Sequence, residues 1–440
     1  MPFATALRFL REFFGWLKIG LGIKRWMLLI LFGLTLVSIG VAMLLLDLYR
    51  SPYSEPLVLN ALSLLALAFL PRALRIVIFM GGGLIAIASG IWGLNRALLR
   101  PFLRPGSSVV EELERYRRRE QGPRIVAIGG GHGLSTLLRG LKAYTHNLTA
   151  IVTVADDGGS SGRLRATLGI LPPGDIRNCL AALSEDEALM TQLFQYRFSG
   201  APELDGHSFG NLFITALADL TGSFEKAIAE SGRVLSVHGR VLPSTVHNVR
   251  LVADVQLPYL ASEVRVEGES KIPQVSGRVR RVWLEPNNPP AFPPAIKAIL
   301  SADLIIVGPG SLYTSILPNL LVKDILDALR VASAPKVYVC NIATQRGETE
   351  FYTCFDHVRA IEEHVGADFF DVILCNNFYD LELPAQAQWV TVDERSYTDS
   401  RVYCADLVDR AHPWRHDAHK LAQAIMEIYR ERTGPLREDA

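Results

Sequence analysis

The chain of 440 residues is too long for one ordinary domain and predicts two or three regions. It has 45 basic and 45 acidic residues, and this zero net charge argues against a general nucleic-acid binder, which would carry a basic excess. Hydrophobic residues make up 49% of the chain and concentrate before residue 100, which argues against a wholly soluble protein.

The N-terminal region is predicted to be a membrane anchor. Residues 26–46 and 76–94 are uncharged apolar runs, each close to the ~20 residues that cross a bilayer. Basic residues precede the first run and follow the second, which favours cytoplasmic flanks and two crossings. Residues 56–70 are apolar but short, and they could form a third span or a segment that lies at the membrane interface. A cleaved signal peptide is the alternative, disfavoured by the long first run and the second span. We therefore expect residues 1–105 to lie in membrane lipid as a multi-pass anchor of the cell membrane.

The remaining chain is predicted to lie in the cytoplasm. Residues 106–122 form a charged linker that Gly122 and Pro123 end, and residues 123–440 form an α/β domain. Five scattered cysteines include no CxxC pair, so neither a zinc site nor a disulfide framework is indicated. Their odd number fits a reducing compartment.

Strands and helices alternate after the linker. Strands are predicted at 124–128 and 149–154, around a helix with leucines at 134, 137, 138 and 141. Residues 175–237 are predicted helical, and 241–285 strand-like. Strands return at 303–307, 336–340 and 371–374, and a helix covers 416–429. The order predicts a doubly wound, mostly parallel, Rossmann-like sheet with helical and β insertions, joined by right-handed crossovers. Ligands of such sheets bind beyond the carboxyl ends of the strands.

A glycine-rich loop follows the first predicted strand. It contains Gly129, Gly130, Gly131, His132 and Gly133. Glycines let backbone amides approach an anion closely, and the next helix directs its positive end to the same place. The loop is neither a strict GxGxxG nor a Walker A motif, so a tight turn without a ligand is the alternative.

The loop after the second strand combines carboxylates, glycines, hydroxyls and a cation. Its candidate ligand-binding residues are Asp156, Asp157, Gly158, Gly159, Ser160, Ser161 and Arg163. Asp156 and Asp157 are candidates for holding Mg²⁺ or for accepting hydrogen bonds from ribose hydroxyls. The glycines could form a nest of amide donors. The alternative is an exposed flexible loop.

Three later clusters complete the predicted site. Asp175 and Asn178 lie near a helix start, where Asp175 could instead be only a cap. His207 and Asn211 stand four residues apart on one helix face, although a lone helix histidine is more often structural. A third cluster, which could also be a simple turn, follows the strand at 303–307 and contains Gly308, Gly310 and Ser311.

Taken in order, these strings resemble one family closely. IGGGHGLSTLLRGL, IVTVADDGGSSGRLR, LGILPPGDIRNCLAAL, GHSFGNLF, GRVLPSTV, VEGES, GPGSLYTSILPNLLV and VYVCNIATQRGET are similar to the gluconeogenesis factor family (YvcK-like), which is related to the 2-phospho-L-lactate transferases (CofD-like). The resemblance covers about residues 124–377 and omits the N-terminal region. His132 and Arg346 depart from the threonine and proline that the family pattern places there. Residues 351–355 depart from the smaller, more polar stretch expected before the tripeptide DHV at residues 356–358.

The resemblance implies a Rossmann-like fold and a UDP-sugar type ligand, with a role in carbon metabolism, cell shape or envelope synthesis. It implies that the glycine loops, Asp156, Asp157, Asp175, Asn178, His207 and Asn211 line the cleft. The related transferases move a lactyl-phosphate group from a guanosine diphosphate donor to a deazaflavin, using Mg²⁺.

Several functions stay open at this stage. The leading hypothesis is a membrane-anchored regulator that binds a nucleotide sugar and has no established catalysis. The second is a phosphate-group transferase with Asp156, Asp157 and Asp175 as candidate catalytic residues. An NAD-dependent oxidoreductase and a purely structural membrane protein explain the loops less well. No cofactor is firmly implied beyond Mg²⁺ as an option, nucleic acid is not an expected partner, and homo-oligomerisation is left open.

Overall fold

The computed structural model describes residues 119–184, 189–200, 203–257, 262–275, 277–366 and 369–434, together with 34, 35, 38, 42, 69–71 and 74. The elements below lie in the unit Arg118–Glu438. Within this described part, no helix is both long and apolar enough for a membrane crossing. The predicted spans at 26–46 and 76–94 lie outside it, apart from positions 34, 35, 38 and 42.

The chain up to residue 243 alternates two strands with helices, adds a helical insertion and returns to the sheet. The elements are β1 Ile125–Gly129, α1 Gly131–Leu141, β2 Leu148–Val152, α2 Gly159–Leu168, α3 Gly174–Leu183, α4 Leu189–Gln195, α5 Phe209–Thr221, α6 Phe224–Val234 and β3 Arg240–Pro243.

The second half begins with an antiparallel excursion and then resumes the alternation. Its elements are β4 Arg250–Gln256, β5 Glu263–Glu267, the 3₁₀ helix Glu269–Gln274, β6 Arg278–Glu285, α7 Pro293–Leu300, β7 Leu304–Val307, the π-helical turn Leu312–Ile316, α8 Leu317–Leu320, α9 Lys323–Val331, β8 Lys336–Val339, α10 Cys354–Val365, β9 Val372–Asn376, α11 Glu394–Thr398, β10 Val402–Ala405 and α12 Ala418–Thr433.

The main sheet confirms the predicted parallel Rossmann-like fold. Within the described residues it has seven strands in the order β10-β9-β8-β7-β1-β2-β3, and every neighbouring pair is parallel. The chain builds outward from β1 to β3 and then returns to add β7 on the other side of β1. The strand order therefore reverses between β1 and β7, where sheets of this class bind ligands at the carboxyl edge.

Strand residues alternate between two buried clusters, one on each face of the sheet. In β1, Ile125 and Ala127 pack on one face, while Val126 and Ile128 pack on the other. Helices α1, α3 and α12 contribute apolar side chains to the first face, and α7, α9 and α10 to the second. This two-sided burial explains why the strands read as continuous apolar runs, and it confirms the doubly wound arrangement.

The predicted β insertion is a separate antiparallel sheet in the order β5-β4-β6. Its apolar residues, including Leu251, Ala253 and Val282, belong to the core cluster on the second face of the main sheet. The 3₁₀ helix that follows β5 extends from this small sheet.

The structure departs from the sequence prediction in three details. β3, inside the region read as an insertion, joins the main sheet beside β2. β10 was not predicted, because its half-buried edge position gives VYCA no clear apolar pattern. Cys354 and Cys375, which spacing alone did not pair, form a disulfide across α10 and β9.

Candidate functional site

A cavity of about 500 Å³ opens at the carboxyl edge of the sheet, where β1 and β7 adjoin. This volume is typical of small-molecule sites, which measure about 300–1,000 Å³. Its walls come from loops at several strand ends and from the segment before α12. The lining residues are Gly130, Gly131, His132, Gly133, Thr136, Asp156, Asp175, Glu269, Pro309, Gly310, Ser311, Ser315, Asn341, Ile342, Ala343, Thr344, Gln345, Pro384, Ala387, Trp414, Arg415 and His416.

The two glycine loops meet at the floor of this cavity. A Cβ on Gly133 would lie 2.5 Å from the carbonyl oxygen of Pro309, and one on Gly310 would lie 3.3 Å from that of Gly130. The Asn319 amide donates both to the carbonyl of Gly129 at 2.9 Å and to that of Ser315 at 2.7 Å. The loops after β1 and β7 are therefore held together by close backbone contact and one buried amide.

The N-terminus of α1 faces the cavity without a side-chain cap of its own. Gly131 has φ +66°, a left-handed conformation that a side chain would strain. Its backbone N–H donates to the carboxylate of Asp175, which reaches it from the first turn of α3. Amide donors at this end favour anions, so the same position that holds Asp175 suits a phosphate oxygen.

Carboxylates from three elements converge in the cavity. Burial, together with the nearby Asp156 carboxylate, raises the pKa of Asp175 to about 6. Burial also raises the pKa of Glu269 to about 8, aided by repulsion from Asp156 and Asp175. The pKa of Asp156 is raised by burial against hydrogen bonds from Gly158 and Ser161. These groups hold protons more tightly than they would in water, chiefly because burial disfavours their charged forms and secondly because nearby carboxylates repel one another.

A further carboxylate lies behind the wall. Glu348 is buried, and burial raises its pKa to about 7. It accepts a hydrogen bond from Thr314 at 3.4 Å, while its Oε2 atom has no partner among the described residues. Its charge also raises the pKa of Glu269, which links the two groups electrostatically.

The opposite wall carries aromatic and basic groups. Trp414 is 40% exposed and Arg415 is exposed beside it, with the guanidinium 5.9 Å from the indole centroid. Burial lowers the pKa of His132, and the charge of Arg415 lowers it further. His416 Nε2–H donates to the carbonyl of Cys340 at 3.1 Å, and burial lowers the pKa of this imidazole to about 4. The wall therefore offers a flat ring and an exposed guanidinium beside neutral imidazoles.

Polar side chains after β8 supply neutral contacts. Asn341 accepts from the backbone N–H of Gly310 at 3.3 Å, and Gln345 donates to Ser311 at 2.8 Å. These hydrogen bonds connect the loop after β8 to the loop after β7. The amides of Asn341 and Gln345 therefore have fixed positions along the cavity edge.

The structure brings eight of the nineteen predicted site residues together in the cavity lining. The predicted residues that line the cavity are Gly130, Gly131, His132, Gly133, Asp156, Asp175, Gly310 and Ser311. The predicted residues outside its lining are Gly129, Asp157, Gly158, Gly159, Ser160, Ser161, Arg163, Asn178, His207, Asn211 and Gly308.

Asp157 holds a neighbouring element in place. Its Oδ1 accepts the backbone N–H of Ser270 at 2.8 Å. A Cβ on Gly268 would lie 2.3 Å from Asp157 Oδ2, so the backbone passes directly over the carboxylate. Asp157 therefore fixes the start of the 3₁₀ helix that carries Glu269 into the cavity.

His207 and Asn211 support the loop of residues 155–163 (the aspartate loop) from behind. The prediction that they share a helix face is wrong, because α5 begins at Phe209 and His207 precedes it. His207 Nδ1 lies 3.0 Å from Ser160 Oγ, and Asn211 Nδ2 donates to the same oxygen at 3.0 Å. Ser161, which Asn211 also reaches at 3.5 Å, in turn hydrogen-bonds the Asp156 carboxylate. The chain of polar contacts runs from α5 through the first turn of α2 to a cavity residue.

Asn178 and Arg163 make local contacts instead of facing the cavity. Asn178 accepts from Arg177 at 2.8 Å, and the buried Arg177 also donates to Ser208. Arg163 donates to the carbonyl of Asp205 at 2.7 Å. These bonds join α2 and α3 to the loop before α5.

Sequence reasoning missed cavity residues of two kinds. Residues 341–345 follow a predicted strand, so the rule applied to the other loops would have selected them. Glu269 follows an antiparallel strand of the second sheet, and Arg415 precedes the last helix. No strand-end pattern marks these last two positions, because only the tertiary packing brings them to the edge.

The carboxylates of the cavity fit a hard cation that takes its remaining ligands from water and from a bound small molecule. Within the described residues, Asp156, Asp175 and Glu269 do not form a group whose three oxygens lie within 4.8 Å of one another. Mg²⁺ usually binds through one or two carboxylates together with waters and substrate phosphates, which this arrangement allows. The predicted pair Asp156 and Asp157 does not converge on the cavity, since Asp157 contacts Ser270.

Comparisons with known proteins agree with this architecture. Residues 125–433 match the family model described as "2-phospho-L-lactate transferase CofD". A Nostoc sp. protein named "Putative gluconeogenesis factor" is 47% identical over 433 residues, covering 95% of this chain and 93% of that protein. The "Gluconeogenesis factor" of Bacillus subtilis is 46% identical over 321 residues, covering 71% of this chain and 99% of its own length.

A solved structure shares the fold. It is a UPF0052 family member from Bacillus halodurans, 42% identical, and the match covers 70% of this chain and 99% of that one with a TM-score of 0.65. The family-model match includes every residue that lines the cavity.

Proposed function

Because the chain belongs to the gluconeogenesis factor family, which is related to the 2-phospho-L-lactate transferases, we propose that it is a regulator that binds a nucleotide sugar of the UDP-sugar type. The observation that carries this proposal is the meeting of two glycine loops in one cavity at the reversal of strand order. A diphosphate needs several amide donors within a short distance, and we assign this role to the backbone amides of these loops, with the Gly131 and Gly310 amides exchanging Asp175 and Asn341 for phosphate oxygens.

The remaining walls suit the other parts of such a ligand. The exposed face of Trp414 can stack on a base or sugar, and Arg415 can pair with a phosphate. Asn341 and Gln345 can read hydroxyl or carbonyl groups through hydrogen bonds. The ligand's contacts would thus come from both halves of the sheet.

The carboxylates impose a condition on an anionic ligand. Asp156, Asp175 and Glu269 would repel a diphosphate unless they bind protons or a cation. We propose that Asp156 and Asp175 share Mg²⁺ with the phosphates, and that such an ion supplies charge neutralisation when bound. Affinity for the nucleotide sugar is then expected to rise with Mg²⁺ concentration.

Isothermal titration of the purified full-length chain tests this proposal. We expect UDP-sugars to bind with Mg²⁺ present and the free sugars to show no binding. Arg415→Ala should weaken binding by about 10- to 150-fold, since a charged hydrogen bond contributes about 1.5–3 kcal/mol. Folded protein that binds no UDP-sugar would refute the proposal.

Arg410→Ala is the matched control for this titration. Arg410 stands in the same segment, with its guanidinium over the Phe378 ring and a salt bridge to Asp406 at 2.8 Å. It does not line the cavity. Its removal should leave the affinity unchanged, and an equal loss in both variants would remove the assigned role of Arg415.

A second candidate is Mg²⁺-dependent transfer of a phosphate-linked group from a nucleoside diphosphate donor. The convergence of Asp156, Asp175 and Glu269 on the cavity beside the two glycine loops favours this transferase candidate. Incubation with labelled donors and candidate acceptors should then release nucleoside monophosphate, and Asp156→Asn should abolish the release. If the donor binds to saturation and no mixture yields product, the transferase candidate is refuted and only the regulator role remains.

We also propose that residues 1–105 anchor the chain in the cell membrane with the α/β domain in the cytoplasm. The support is the pair of uncharged apolar runs and the basic residues that flank them. Such an anchor would hold a nucleotide-sugar sensor near envelope synthesis. Uniform cytosolic distribution of a tagged chain after cell fractionation would refute it.

A further inference from the structure

Three metal-ligating side chains meet at the amino edge of the sheet, across from the cavity. Glu120 precedes β1, His146 precedes β2 and His238 precedes β3. One ligand atom from each lies within 4.8 Å of the other two. Because β1, β2 and β3 are adjacent and parallel, their starting ends bring these three segments together.

The distances suit a borderline divalent cation. His146 Nδ1 lies 3.3 Å from Glu120 Oε1. Tetrahedral Zn²⁺ with bonds of about 2.0–2.1 Å separates its ligand atoms by about 3.3–3.4 Å. The two atoms form a hydrogen bond at this distance, and they have the spacing of two ligands on one ion once a metal replaces the shared proton.

The second histidine is close but stacked. The rings of His146 and His238 have centroids 4.2 Å apart and an interplanar angle of 15°. Parallel rings direct their lone pairs side by side, so one ring must rotate about its Cβ–Cγ bond to share an ion. That torsion is broad in histidine, and His238 is only partly buried.

Backbone contacts fix the three positions before any ion binds. The Asn147 side chain donates to the carbonyls of Glu120 and Gly122 at 2.8 and 2.9 Å. The backbone N–H of His146 donates to the carbonyl of Arg119 at 2.8 Å. Close passage of Gly239 over the Leu148 carbonyl holds His238 beside β2. Ligands on rigid segments need little reorganisation to bind a metal.

The three side chains are of the kinds that bind a transition metal, two imidazoles and a carboxylate. An imidazole binds a metal in its neutral form, through the lone pair of a ring nitrogen. The carboxylate of Glu120 supplies the negative charge that favours a cation.

We propose that Glu120, His146 and His238 bind one Zn²⁺-class transition-metal cation at the amino edge of the sheet. Glu120 is about half exposed, so water can reach the ion and occupy its remaining positions. The ion would fasten the segment that enters the domain at residue 119 to the starts of β2 and β3. This site would be independent of nucleotide binding at the opposite edge.

Metal binding by the tag-free, full-length protein tests the proposal directly. We expect the wild type to hold one equivalent of Zn²⁺ against a chromogenic chelator. Glu120→Gln and His238→Asn should each weaken the affinity by more than about 100-fold, because even outer-sphere partners of a metal contribute about 10–100-fold. Both positions are at least partly exposed, so these variants should fold.

His412→Ala is the matched control. His412 Nδ1 also lies 3.4 Å from a carboxylate, that of Asp409, but among the described residues no third ligand atom completes a cluster there. It should retain the metal. Co²⁺ substitution adds a second measurement, with expected visible bands from nitrogen and oxygen ligands and no thiolate charge-transfer band. Absence of Zn²⁺ binding in the wild type, or binding lost in His412→Ala or Cys340→Ser but kept in His238→Asn, would overturn the proposal.

Discussion

Asp157 illustrates how a residue beside a site can act through its neighbour. Its carboxylate accepts the Ser270 amide and lies under Gly268. From the sequence, Asp156 and Asp157 are equivalent, because both follow the same strand. In the structure only Asp156 lines the cavity, while Asp157 fixes the residue next to Glu269.

Substitutions at Asp157 should separate this supporting role from direct ligand contact. Asp157→Ala leaves the Ser270 amide without an acceptor and should cost about 1–3 kcal/mol of stability. Asp157→Asn keeps an acceptor oxygen and should cost less than half as much. Urea unfolding of both variants measures the difference. Equal losses would show that the hydrogen bond is not the cause.

Glu269 should make the stability of the ligand-free protein depend on pH. Burial raises its pKa from 4.5 to about 8, so the folded chain binds this proton more tightly than the unfolded chain. The stabilisation is complete below about pH 4.5 and is lost as the pH rises through 8, by up to about 1.4 kcal/mol per pH unit.

Chemical unfolding from pH 5 to 8 checks this behaviour. Glu269→Gln should make the decline shallower, because glutamine does not ionise, while Asp175 and Glu348, whose pKa values are also raised, should keep part of it. Glu350→Gln, at an exposed position, should follow the wild-type curve. A wild-type decline that Glu269→Gln leaves unchanged would assign the pH dependence to other groups.

At the scale of elements, two helix glycines have opposite surroundings. Gly140 lies in α1, where a Cβ would sit 2.0 Å from the carbonyl oxygen of Ala418 at the start of α12. Gly232 lies in α6, where the nearest atom would be 3.7 Å away. The first glycine permits close helix packing, whereas the second has room for a methyl group.

Alanine at these two positions should therefore shift stability in opposite directions. Gly140→Ala should destabilise by about 1–3 kcal/mol through overpacking. Gly232→Ala should stabilise by up to about 1 kcal/mol, because alanine has the higher helix propensity. Thermal and denaturant unfolding of both variants provide the measurement. A stabilising Gly140→Ala would mean that α12 moves away without cost.

At the scale of the whole molecule, the proposed ligand would contact loops from both halves of the sheet. A compound that binds only the folded chain stabilises it by about 2.7 kcal/mol at a hundredfold excess over Kd. We therefore expect a UDP-sugar with Mg²⁺ to raise the unfolding temperature of the wild type and of Arg410→Ala, but much less that of Arg415→Ala. An equal rise in all three would locate the ligand elsewhere.

Most of the central sheet could be predicted from sequence because its strands are buried on both faces. Ile125, Val126, Ala127 and Ile128 form an unbroken apolar run, and glycines mark where it ends. β10 lacks that signal because it is a half-buried edge strand. The cavity was only partly predictable, since Glu269 and Arg415 reach it by tertiary packing from elements with no strand-end motif.

The contact between Asp157 and the 3₁₀ helix has a consequence for how ligand preference could diverge among related chains. One acidic wall of the cavity belongs to the small antiparallel sheet, which meets the aspartate loop through Gly268, Glu269 and Ser270. Changes within that appendage could alter the charge offered to a ligand while the central sheet and its two glycine loops stay intact. The small antiparallel sheet therefore sets part of the charge of the cavity without contributing to its glycine loops.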